Sequence, residues 1–170
     1  GVRKIYSIEE LQLHHLQARH PYLIQQLLDY PNEIGLFYVR YPHEARRKIT
    51  GIVYKEFLQV TGDGIHTLEE LVYSDARTYY QLNYLQERYK EEWEQIVLQG
   101  NDLILVPFGN HVRGSKFLDY SHKITPELED TFTTICSRIN GYYFGRMDLK
   151  FDNWVDLYRG EKLGILRPEE

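Results

Sequence analysis

The stretch that most restricts this chain is Phe57 to Val72, FLQVTGDGIHTLEELV, with Gly62-Asp63-Gly64 at its hinge. Ile52, Val53 and Tyr54, then Phe57, Leu58 and Val60, carry the β-branched and aromatic character of a strand. Gly-Asp-Gly permits positive φ and a sharp reversal. Thr67, with Glu70 three residues on, has the spacing of a capping box. Leu68, Leu71 and Val72 then supply the apolar face of a helix. Read physically, the segment is a strand–turn–helix joint, and it demands both strands and helices around it.

Composition narrows the class. A chain of 170 residues suffices for one domain with a real core, or two small lobes sharing a cleft. A 42% hydrophobic and 26% charged content is that of a soluble globular protein, and the net charge of −5 argues against a nucleic-acid partner. The single cysteine, Cys136, excludes an internal disulfide and a cysteine zinc cage. It lies in an apolar helical run with Phe132, Ile135 and Ile139, so a packed thiol is expected. No apolar run approaches the ~20 residues that span a bilayer, and no signal peptide is visible.

Taken in order, the chain opens at Gly1 with Val2 and Ile5 alternating like the tail of a strand. Ser7 is placed to cap a helix from Ile8 to Ala18, with Glu9 and Glu10 in its first turn. His14, His15 and His20 are clustered in sequence, but adjacent histidines point to different helix faces, so solvated side chains are expected. Tyr22 to Leu28 reads as a short buried strand or a linker. Ile34 to Tyr41 is a strand, Ala45 to Lys48 a solvated hairpin tip, and Ile49 to Phe57 the returning strand. From Ser74 to Gln99 the pattern suggests two helices or one bent helix, ended at Gly100-Asn101. Asp102 to Phe108 is a strand closed by a polar loop, Gly109 to Lys116. Thr125-Pro126-Glu127 starts a helix that runs to about Ile139. Strand Tyr142 to Lys150, a short helix Asp152 to Leu157 and a last strand Leu163 to Leu166 follow.

Polar stations thus fall at element ends: Glu33, the Asn110–Lys116 loop, and Asp148. By themselves they support a soluble α+β domain with a polar cleft.

Their order is similar to the ATP-grasp superfamily, in the branch that holds cyanophycin synthetase and the glutathione synthetase domain of bifunctional bacterial enzymes. The matching residues are Lys55, Val60-Thr61-Gly62-Asp63-Gly64, His66-Thr67 and Glu70-Leu71-Val72. Downstream come Asn110-His111-Val112-Arg113-Gly114-Ser115 with Asp119, and then Gly145-Arg146-Met147-Asp148-Leu149. The resemblance spans nearly the whole chain. It implies an α+β, ATP-grasp-like fold with mixed and antiparallel sheets, flanking helices and two nucleotide-clasping lobes.

The function it implies is ATP-dependent carboxylate–amine ligation through an acyl phosphate, with ATP and Mg2+ as cofactors. Such chemistry rests on positioning and charge neutralisation. On the resemblance, Gln25, Gln26, Leu27 and Leu28 match the hinge that contacts adenine through its backbone. Glu33 matches an acid near the ribose, and Lys55 a basic residue facing phosphate or acyl group. Asn110, Arg113, Gly114 and Ser115 match the loop that approaches the phosphates and acceptor, and Asp148 the first metal ligand. The partners implied are small-molecule carboxylate and amine substrates, with no nucleic acid and no membrane. A homo-oligomer is left open, and a cytoplasmic location is the default.

The chain departs from the family pattern in places. Gly35 stands where a basic residue follows the ribose acid, so Arg40 would have to substitute, or nothing does. Arg167 stands where the family's Glu-x-Asn begins, and an arginine cannot bind magnesium. The lysine strand and glycine-rich loop that precede the hinge in relatives are not in the sequence. The expectation is therefore a single partial ATP-grasp module over residues 1–170, cut at both ends, from a parent ligase and inactive by itself. A non-catalytic nucleotide- or ligand-binding module is the alternative, favoured by Arg167 and Gly35. An interaction domain is another, favoured by the tyrosine-rich segment Tyr79 to Trp93.

Overall fold

In a computed structural model, which describes residues 4–41, 47–107, 109 and 114–169, the apolar alternation of Ile34, Leu36 and Tyr38 lies on β1, Asn32–Arg40. That strand is central in a five-stranded sheet. It pairs antiparallel with β2, Arg47–Glu56, on one side and with β6, Phe144–Phe151, on the other. β5, Lys116–Asp119, extends the sheet beyond β2, and β7, Leu163–Glu169, extends it beyond β6.

A period of two gives the sheet two distinct faces. Ile34, Leu36, Ile52, Met147, Leu149 and Phe151 point into one core. This face is covered by α4, Pro126–Ser137, through Leu128, Phe132 and Cys136, and by α5, Trp154–Arg159, through Leu157. Burial pushes the Cys136 thiol up to about 12, as a packed, inert cysteine requires. The opposite face carries Glu33, Lys55, Arg146, Asp148 and Lys150, and there the candidate site is assembled.

A second unit pairs β3, Leu58–Thr61, with β4, Asp102–Val106, under α2, Leu68–Ser74, and α3, Leu82–Arg88. Leu58, Val60, Leu68, Val72, Leu85, Leu105 and Val106 form its core. The joint at its centre folds as the sequence dictates. Asp63 Oδ1 accepts from the amides of Ile65 and His66, its Oδ2 pairs with His66 Nδ1, and Gly64 has φ +75°. Thr67 and Glu70 complete both halves of the capping box. Gly62 is sterically required, because a Cβ there would lie 2.2 Å from the Leu98 carbonyl oxygen.

Several expectations are corrected. The returning strand expected over Ile49 to Phe57 is β2 and ends at Glu56, while Leu58 and Val60 lie on β3, so the two runs join different sheets. Ser74 to Gln99 is helical only in part, as a 3-10 turn at Ala76–Gln81 followed by α3. Beyond Tyr89 the chain turns back because α2 leaves amides to be satisfied. Leu68 N donates to Gln95 O and Glu69 N to Trp93 O, both at 2.9 Å. Tyr22 to Leu28 is the linker rather than a buried strand, and residues 21–27 are all exposed. Lys116–Asp119 forms an edge strand where a loop end was expected. At the hairpin, Ala45 and Arg46 lie outside the described residues, while Arg47 and Lys48 already belong to β2. Ser7 does cap α1, Ile8–Gln17, but no residue of this helix is buried. His15 Nδ1 lies 2.8 Å from the Tyr22 hydroxyl, and the His14 ring meets Tyr22 edge-on.

Candidate functional site

Register places the site. β1 sets Gly35 opposite Asp148 and Glu33 opposite Lys150 across the β1–β6 pair. On the other side Ile34 lies opposite Tyr54, which brings Lys55 beside Glu33. Residues 22 and 93 positions away from Lys55 therefore meet at its ammonium: Nζ lies 2.8 Å from Glu33 Oε1 and 2.9 Å from Asp148 Oδ2. The Lys55 and Glu33 side chains are only 6% and 7% exposed, and Asp148 17%. Charges so far from water need partners, and here each has one or more.

Further groups enclose the cluster. Arg146 Nε lies 3.1 Å from Asp148 Oδ1, so each Asp148 oxygen faces its own cation. Gly35 makes this geometry possible: a Cβ there would sit 3.2 Å from Arg146 Cδ and 3.3 Å from Asp148 Oδ1. Arg146 thus lies across the strand pair against the Gly35 backbone. Arg40 instead lies at the far end of β1. Gly109 closes the top, since a Cβ on it would lie 2.3 Å from Lys55 Cδ and 2.8 Å from Glu33 Oε1. Only a bare backbone can lie this close to the ion pair.

Lys150 is the cation that sequence reasoning missed. It is half-buried, with Nζ 3.4 Å from the Tyr30 carbonyl and 5.4 Å from the Phe57 ring centre. Burial pulls its pKa below that of an ordinary lysine, partly offset by the Glu33 carboxylate. The signal for it was present as period two, because Arg146, Asp148 and Lys150 share one strand face.

The expected hinge segment lies beside this face. Gln25 Nε2 donates to the Leu166 carbonyl at 2.8 Å, and Leu28 packs over Gly164 on β7. Gln26 and Leu27 are exposed, and residues 19–31 make no backbone–backbone hydrogen bond among the described residues. The Tyr30 carbonyl instead accepts from Lys150 Nζ at 3.4 Å. Gly114, at φ +88°, packs against Leu58 and the Arg77 carbonyl, and Ser115 is buried beside it. Asn110 and Arg113 lie outside the described residues.

Magnesium demands several oxygen ligands in octahedral array. Among the described residues no three His, Cys, Asp or Glu side chains converge on a common point. The carboxylates that do converge, Glu33 and Asp148, have the Lys55 ammonium between them and Arg146 on the remaining Asp148 oxygen. Arg167 is the register neighbour of Asp148 on β7, in place of an acid. So arranged, the described residues do not fit a divalent cation.

No protein-family model and no curated protein sequence matches the chain. Among solved structures it is similar to a bifunctional glutathione synthetase from Pasteurella multocida, at 14% identity and a TM-score of 0.53. The alignment covers 83% of this chain and 20% of the synthetase, so the chain spans about a fifth of that protein's length. At this identity the likeness concerns the fold. The chain has an ATP-grasp-like α+β fold.

Proposed function

We propose that this chain is part of an ATP-dependent carboxylate–amine ligase that acts through an acyl phosphate. The observation that carries the reading is the convergence of Glu33, Lys55 and Asp148 from three neighbouring strands onto one buried ammonium. The backbone of Gln25 to Leu28 beside it, which makes no backbone–backbone hydrogen bond among the described residues, supports a nucleotide contact. In the reaction a substrate carboxylate oxygen bonds to the γ-phosphorus of ATP as the bond to ADP breaks. An amine then attacks the acyl carbon, loses a proton, and expels phosphate.

Both steps gather negative charge, which fixed cations in a dry site stabilise best. Lys55 is committed to Glu33 and Asp148, so its role is to position these carboxylates. Lys150 has a carbonyl and a ring rather than a carboxylate within contact, and it is the described cation best placed to meet a phosphate oxygen. No step is assigned to a metal.

A specific observation favours a second reading, a non-catalytic nucleotide-binding module: the Lys55 ammonium already fills the space between the carboxylates. Calorimetric titration with ATP, with and without magnesium, separates the two. Magnesium-dependent binding, the ion arriving on the ATP phosphates, supports the ligase. Equal binding in the presence of a chelator supports the module. No heat at millimolar ATP counts against both.

A further inference from the structure

At the other end of β1, about 20 Å from Glu33 along the strand, the register sets Arg40 directly opposite Arg47 on β2. Like charges facing one another across a strand pair destabilise it. Among the described residues neither arginine has a carboxylate within ion-pair distance. Glu129 and Asp130 line the adjoining hollow beside Arg47. Glu129 is occupied in accepting the Ile49 amide at 3.2 Å. Among the described residues no direct ion pair offsets the facing charges.

The Arg40 guanidinium is held firmly. Its Nη2 donates to the Tyr142 carbonyl at 3.0 Å, and its carbon lies 4.8 Å from the centre of the Tyr143 ring. Its Nε, however, is buried and has no hydrogen-bond partner, a state that costs the desolvation of a charged donor. Both arginines line a hollow of about 310 Å³, which also receives Ser137 and Asn140 at the end of α4. Two forked cations and an amide around one space are donors that recognise a phosphoryl group, while the Ser137 hydroxyl donates to the Thr134 carbonyl at 2.8 Å.

We propose that Arg40, Arg47 and Asn140 form an anion site, separate from the Lys55 cluster, for a phosphate-class ligand, either free phosphate or a phosphoryl group on a small molecule. The ligand relieves the facing positive charges. The site does not depend on the ligase reading.

The test follows the Arg40 Nε–Hε resonance by NMR while inorganic phosphate, and in parallel glycerol 3-phosphate, is added to the 170-residue chain. A saturable shift in the millimolar range or tighter is expected, weakened about tenfold or more in Arg47→Gln. Arg47 is exposed, so this variant folds, and a circular dichroism melt verifies it. Lys150→Gln leaves the shift in place. Tighter binding of glycerol 3-phosphate identifies a phosphoryl group on a larger molecule, and equal binding identifies free phosphate. No saturable shift at tens of millimolar, an unaltered affinity in Arg47→Gln, or loss of the shift in Lys150→Gln overturns the proposal.

Discussion

Lys55 donates to Glu33 at 2.8 Å inside the protein, and the same ammonium reaches Asp148 at 2.9 Å on the far side of β1. A lysine thereby spans the two outer neighbours of one strand and fixes the spacing of the polar face.

Removing this cation should be costly. Lys55→Met keeps most of the side-chain volume but leaves Glu33 with no cation in contact and Asp148 with Arg146 alone. Breaking a buried pair from one side costs roughly 3–5 kcal/mol. Adding Glu33→Gln to Lys55→Met should recover a good part of that loss. Urea unfolding of the single and double variants measures this, and strictly additive losses would show that the residues are not coupled.

The pH dependence of stability has an acid component in Asp75. Arg77 holds its carboxyl below the ordinary carboxylate value, chiefly through side-chain hydrogen bonds at 2.6 to 3.2 Å. The folded-state value lies below the unfolded one of 3.8, so this contribution is present above about pH 4 and lost as pH falls through the folded value. The pair is partly exposed, which limits it to about 1 kcal/mol. Asp75→Asn should lower stability at neutral pH and flatten its decline in acid, as read from melting temperatures across a pH series.

Cys136 gives a basic component of opposite sign. Its folded value, about 12, is above the ordinary 9.0, so burial of the thiol favours folding below about pH 9 and this contribution fades as pH rises toward 12. A thiol reagent at pH 8 should react only at the rate of global unfolding. Fast labelling of the native protein would contradict this placement.

Gly62 and Gly141 should respond differently to alanine. At Gly62 the new Cβ meets the Leu98 and Val97 carbonyl oxygens at 2.2 and 2.6 Å, which cannot yield without moving the returning loop. Gly141 has φ +79° but open space around it. Gly141→Ala should cost about 1 kcal/mol from the left-handed backbone alone. Gly62→Ala should exceed it by about 2 kcal/mol, and equal losses would mean that the joint is not closed by residues 97–101.

What the sequence revealed and what it hid follow from range. Local rules found Thr67, Ser7 and Thr125 as caps, the Gly62-Asp63-Gly64 turn, and the alternation of β1 and β6, because each acts within a few residues. The break at Phe57 was hidden because both flanking runs are equally strand-like, and only the partners β5 and β4 separate them. The segment after Tyr89 looked helical by composition, yet Trp93 and Gln95 are claimed by the amides of α2. Glu33, Lys55 and Asp148 could each be singled out, but their meeting at one ammonium is a matter of register. Lys150 and Arg146 were passed over because a strand lysine or arginine ordinarily faces solvent. Gly109 could not be read at all, since its need for glycine arises from Lys55 and Glu33 lying directly beneath it.

The most direct test of the central claim is backbone-amide NMR mapping of ATP on the 15N-labelled chain. The account predicts that ATP perturbs residues 25–28 together with the strand positions around Glu33, Asp148 and Lys150, and that Lys150→Gln weakens binding about tenfold, close to 1.4 kcal/mol. Perturbations confined to other surfaces, or an unchanged affinity in Lys150→Gln, would contradict the assignment of this sheet face as the nucleotide site.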